Sequence, residues 1–97
     1  MKPYRLAEKA REDLRGIWEY IANDNPDAAD RFLDQVQEAC ELLARSPHLG
    51  HRHDYIRNQQ VRVWPIYSYL LVYLPDTQPL EIVRVISGVR NLPAMDI

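Results

Sequence analysis

The spacing of hydrophobic positions changes twice along this chain of 97 residues, and the changes divide it into elements. In PYRL, residues 3 to 6, Tyr4 and Leu6 flank a charged Arg5, the alternation of a short strand. From Ala7 the period lengthens. Ala7, Ala10, Leu14, Ile17 or Trp18, and Ile21 recur at steps of three and four, with Glu8, Arg11, Glu12, Arg15 and Glu19 between them, which predicts an amphipathic helix. NDNPDAAD then supplies Asn25 as an N-cap, Pro26 at the first helical position, and Asp27 and Asp30 near the positive end of the helix dipole. The second helix is expected to bury Ala29, Phe32 or Leu33, Val36, Ala39 or Cys40, and Leu43. It ends near Arg45, because Pro47 disfavours helical backbone at Ser46. A connection this short makes the two helices an antiparallel hairpin.

SPHLGHRHDYIRNQ, residues 46 to 59, has no period and reads as a loop. Beyond it QVRVW, YLLVYL and PLEIVRVIS follow one another with short links marked by Pro65, Pro75 and Pro79, as in an antiparallel meander. The order β-α-α-β-β-β predicts one α+β domain over residues 1–97, a helical hairpin packed on one face of a small, mainly antiparallel sheet. Alternation assigns the two faces of that sheet. It puts Val61, Val63, Leu70, Val72, Leu74, Val83 and Val85 beneath the helices. The opposite face then presents Arg62, Trp64, Tyr69, Leu71, Tyr73, Ile82, Arg84 and Ile86. Aromatic residues with arginine are the composition of binding hot spots, and such a face is too apolar to stay in water. The competing expectation is that the chain's own loops and tail cover this face and that Arg84 pairs with an internal carboxylate.

Composition narrows the class. Hydrophobic content of 46%, charged content of 27% and a net charge of -2 describe a globular domain and argue against a general nucleic-acid or membrane-surface binder. The charge is uneven. Residues 1 to 44 hold six Lys/Arg against ten Asp/Glu, whereas residues 45 to 97 hold six Arg against four acids. No lysine follows Lys9, and arginine suits bidentate recognition of carboxylates or phosphates. A single Cys40 at an apolar helical position reads as buried filler and fits a reducing cytoplasm. His48, His51 and His53 with Asp54 have no supporting cluster elsewhere, so no metal and no cofactor is expected. Ser87 lacks the elbow and the oriented base of a hydrolase nucleophile.

Several segments in order carry a resemblance. They are YRLAEKAREDLRGIWEYIA with Ala10, Asp13, Leu14, Ile17 and Tyr20; NPDAADRFLDQV; LLARSPHLG with Pro47 and Gly50; VRVWPIYSYLLVY with Arg62, Tyr69 and Tyr73; and IVRVISGVRNL with Ile82, Arg84, Val85, Gly88 and Arg90. In this order and spacing the chain resembles the ParE branch of the ParE/RelE toxin superfamily, the toxin halves of bacterial toxin–antitoxin pairs and plasmid stabilisation systems. The resemblance implies the same β-α-α-β-β-β fold. It also implies a non-enzymatic toxin in the cytoplasm that binds and poisons DNA gyrase, neutralised by a cognate ParD-like antitoxin, acidic and partly disordered. The sites implied for antitoxin or target are Arg62, Trp64, Tyr69, Tyr73, Arg84, Ser87 and Arg90. Two positions depart from the family pattern, Ser87 in place of a common His and Asn91 in place of an Asp. The RelE branch instead cleaves messenger RNA on the ribosome, which calls for a base, a proton donor and cations around the scissile phosphate. After Arg90 the chain offers only NLPAMDI, without Tyr, His or Lys, so the ribonuclease reading ranks second. A non-toxic interaction module with the same fold ranks third.

Overall fold

The computed structural model describes residues 3–54 and 56–88. Its elements are β1 (Tyr4–Leu6), α1 (Glu8–Ala22), α2 (Pro26–Arg45), a single 3-10 turn (Pro47–Leu49), β2 (Arg62–Ile66), β3 (Tyr69–Leu74) and β4 (Leu80–Ser87). The four strands form one sheet in the order β1-β4-β3-β2. The meander is antiparallel, and β1 adds to its edge parallel to β4, with Tyr4, Arg5 and Leu6 opposite Leu80, Glu81 and Ile82. The α+β class and the element order expected from the period changes are both present.

Local chemistry sets the helix ends. The Asn25 side chain accepts from the Ala28 N–H at 3.1 Å, and Pro26 opens α2 where no N–H is needed. Ala7, before α1, has no capping side chain, but its N–H donates to the Ile82 carbonyl at 2.9 Å, so the helix starts anchored to β4. Trp18 Nε1 donates to Asp30 Oδ1 at 3.2 Å across the hairpin. On α2 the face choice is resolved in favour of Phe32, which is buried, while Leu33 is exposed; Ala39 and Cys40 are both buried.

The face assignment is reversed for β2, β3 and the first half of β4, and holds for Val85 and Ile86. Beneath the helices lie Ile66, Leu71, Tyr73, Leu80, Ile82 and Val85, with Trp64 and Tyr69 packed against them. The aliphatic set of Val61, Val63, Val72 and Ile86, with Leu70 and Leu74, forms a second cluster under Ile56 of the loop before β2. Side-chain volume explains the reversal. The helices bring alanines to the interface, Ala10 and Ala39, and their small side chains leave room for large sheet residues. Small branched residues suffice where a single loop segment is laid on the other side. Alternation also fails inside β4. Val72 pairs with Arg84 but Tyr73 pairs with Ile82, so Val83 is an extra residue, a bulge. It returns Val85 to the same core as Ile82 and leaves Ile86 on the second face.

Cys40 is buried in the main core, and burial followed by the neighbouring Glu41 pushes its thiol up to about 12 from 9.0. A raised thiol means the fold excludes the thiolate. That stability is complete below the unfolded value near 9 and falls as pH rises from there toward about 12. In the native protein at pH 8, Cys40 is expected to react with a thiol reagent only at the rate of unfolding, with full labelling on adding denaturant. Rapid native labelling would contradict this burial.

Candidate partner-binding surface

Arg84 sits where the sheet margin changes. β1 ends opposite Ile82, so among the described residues the outer edge of β4 beyond that point has no strand partner. Asp13 of α1 fills the role. Its Oδ2 accepts from Arg84 Nε at 2.7 Å and from the Val85 N–H at 3.0 Å, and its Oδ1 accepts from Arg84 Nη2 at 3.1 Å. Both side chains are about four-fifths buried, 22% and 18% exposed. The hydrogen bond to Asp13 raises the guanidinium's pKa against the opposing effect of burial, so the charge is held. Arg84 is thus paired inside the chain with an internal carboxylate, as the competing expectation held.

Tyr73 is also committed. It is fully buried, opposite Arg62 across the β2–β3 pair. Its hydroxyl donates to the Pro47 carbonyl at 2.6 Å and accepts from the Gly50 N–H at 2.9 Å. Arg62 Nη1 donates to the Gly50 carbonyl at 2.8 Å. Two side chains from two strands therefore hold the turn after α2 in place through three hydrogen bonds. Burial raises the Tyr73 pKa, partly offset by the Gly50 hydrogen bond and by Arg62, so the phenol stays protonated. A Cβ on Gly50 would collide with the Tyr73 hydroxyl and lie 2.8 Å from the Val63 carbonyl, so only glycine fits there.

The remaining candidates are divided. Trp64 is half-buried at the edge of the helix-covered face, and Tyr69 meets Phe32 edge to face with ring centroids 5.3 Å apart. Ser87 is half-buried at the end of β4, and Arg90 lies outside the described residues. The structure therefore does not gather the six described candidates on one open face. Arg62 and Tyr73 share a network; Trp64 and Tyr69 line the helix side; Arg84 belongs to the β4 margin. Surface features that alternation did not single out include Tyr67, 69% exposed at the β2–β3 turn, and Arg52 and Arg57, both exposed on the segment that carries Ile56 over the second face. Their only sequence signal is position: a short link between strands, and cations flanking a lone apolar residue in a polar loop. Among the described residues no group of His, Cys, Asp or Glu is arranged to hold a metal ion.

Two stability predictions follow from these contacts. Asp13→Ala leaves a largely buried guanidinium and an edge N–H unpaired and is expected to cost about 2–3 kcal/mol, reduced from the fully buried case by partial solvent access. A double-mutant cycle with Arg84→Ala in urea unfolding should return a coupling of about 1–2 kcal/mol; a value near zero would mean that the pair holds nothing together. Tyr73→Phe should cost about 1–3 kcal/mol by orphaning the Gly50 N–H and the Pro47 carbonyl. Gly50→Ala should cost at least as much, and thermal unfolding compares the two.

Comparison with known proteins agrees with this architecture. Residues 4–92 match the family described as ParE toxin of type II toxin-antitoxin system, parDE. The chain is 30% identical to Toxin ParE1 of Caulobacter vibrioides over 95 residues, covering 97% of each chain. It is 29% identical to Toxin RelE3 of the same organism over 85 residues, covering 88% of this chain and 92% of that one. In three dimensions it is similar to a chain of a structure described as the chromosomal ParDE TA system from P. aeruginosa, with a TM-score of 0.70 at 17% identity, covering 87% of this chain and 92% of the other. With the helical hairpin, the mixed four-stranded sheet and a family match spanning nearly the whole chain, the protein belongs to the ParE toxin family of type II toxin–antitoxin systems.

Proposed function

We propose that this ParE-family toxin acts by binding rather than by chemistry of its own, with DNA gyrase as the target and a cognate ParD-like antitoxin as the neutralising partner. The observation that carries the non-enzymatic part is the commitment of the two most chemically suggestive side chains. The Arg84 guanidinium is occupied by Asp13, and the Tyr73 hydroxyl is occupied by Pro47 and Gly50. A phosphoryl-transfer site needs a free cation beside a group able to move a proton. Here the tyrosine is sealed in the core and its pKa is raised, and the arginine serves the fold. The gyrase assignment rests on the resemblance to the ParE branch.

An acidic antitoxin is complemented by the segment from residue 51 to residue 62. Arg52 and Arg57 are exposed along it, Arg62 is half-buried at its end, and Ile56 between them is buried against the second face of the sheet. A partly disordered acidic chain that folds on binding is attracted by such exposed cations on an anchored segment.

Purified toxin should inhibit gyrase supercoiling and lose that effect on adding antitoxin. Unaffected gyrase together with ribosome-dependent, codon-periodic cleavage of mRNA would replace this reading with the RelE-type activity, a reading favoured by the similar identity to Toxin RelE3. Normal growth on expression without antitoxin would point instead to a non-toxic module. Charge reversal at both Arg52 and Arg57 should weaken antitoxin binding about tenfold or more at low salt, with an effect that shrinks as salt rises. Reversal at Arg31 on α2 should change it little.

A further inference from the structure

A groove of about 310 Å³ runs between α2 and β2, away from the 51–62 segment's cations. Ala39 and Leu42 of the helix and Trp64 and Ile66 of the strand form its apolar walls, and Glu38 and Tyr67 stand on its lining. Tyr67 occupies the first position of the two-residue link between Ile66 and Tyr69, with φ 54°, a backbone conformation that favours glycine. The residue is nevertheless 69% exposed, with its ring centroid 6.4 Å from that of Phe32. A bulky residue kept in a glycine's conformation, with most of its surface in water, is not explained by packing.

The lining also has a one-sided chemistry. Among the described residues the Glu38 carboxylate accepts a long 3.5 Å hydrogen bond from Gln35 Nε2, and both residues line the groove. Trp64 and Tyr67 offer π faces. Pro65 lacks an N–H, and the peptide groups of Val63, which point the same way as those of Pro65, are already exchanged with His51 at 2.9 and 2.8 Å. A strand laid along this edge would meet no free donor from Val63 or Pro65, so strand addition does not suit it. A carboxylate beside one exposed and one half-buried aromatic ring, above an aliphatic floor, matches a cation carried on an apolar stem. Exposed Asp34 and Glu41 on α2 add to the negative potential, offset in part by Arg31 and Arg45 one turn beyond the lining residues.

From these observations we propose that the α2–β2 groove docks a lysine- or arginine-bearing segment of a partner polypeptide, its stem on Ala39 and Leu42 and its charge at Glu38, Trp64 and Tyr67. This surface has the opposite sign to the 51–62 segment. It would repel an acidic antitoxin and take a basic segment, so two partner segments can be held at once. The inference does not depend on the identity of the toxin's target.

The test uses the full chain with Trp18→Phe, so that fluorescence reports Trp64 alone, titrated with an acetylated, amidated Ala-Leu-Arg-Leu-Ala peptide. Saturable change is expected, weakened about fivefold or more when citrulline replaces arginine, and similarly by Glu38→Gln. Tyr67→Gly should weaken binding while leaving the Tm unchanged or higher, a separation that a merely structural tyrosine would not show. Equal binding of the citrulline peptide, indifference to Glu38→Gln, or no saturable change would overturn the proposal. So would concentration-dependent dimerisation abolished by Tyr67→Gly, which would give the groove to a second copy of the chain.

Discussion

One carboxylate holds the two layers in register. Asp13 projects from α1 onto the one stretch of β4 that β1 is too short to cover, and there it serves both a strand N–H and the neighbouring guanidinium. Edge strands with unpaired backbone groups invite pairing with other chains, and a charged side chain satisfying the N–H closes part of that edge. The same contact fixes where α1 crosses the sheet, together with the Ala7 N–H bonded to Ile82. With α1 placed, the Trp18–Asp30 bond and the alanine-lined contact place α2, and the large sheet residues fill the space beneath.

The second anchor lies at the far end of α2. Tyr73, Arg62 and Gly50 draw the turn after the helix down onto the β2–β3 pair, so the following segment is launched across the opposite face of the sheet. That is why a four-stranded sheet with two helices exposes no bare apolar face: Ile56 seats the segment on Val61, Val63, Val72 and Ile86. The cations of that segment are left outward because its apolar residue is turned inward. The two surfaces proposed for binding are consequently a covering of the sheet and a seam between layers, and not the sheet itself.

Electrostatically the molecule is divided along the same lines. The helical hairpin carries most of the acids, and the segment from residue 45 to residue 62 carries four arginines against one aspartate. Opposite signs on separate surfaces allow different partners to be steered to different places on a domain of this size.

The sequence by itself determined the elements and their order, because period, capping and proline positions act within a few residues. Asn25-Pro26 opened α2 where expected, and Pro47 marked its end. It also held the family signature, in which Asp13 and Arg84 both appear without any sign that they meet. Tertiary structure alone decided which side of each strand faces the helices, because that depends on how much space the alanines of α1 and α2 leave, a property of two surfaces brought together. It decided the bulge at Val83, which no alternation of residues announces. And it decided that Arg84 and Tyr73 are structural, since a partner 71 residues away in the chain becomes visible only when the layers close.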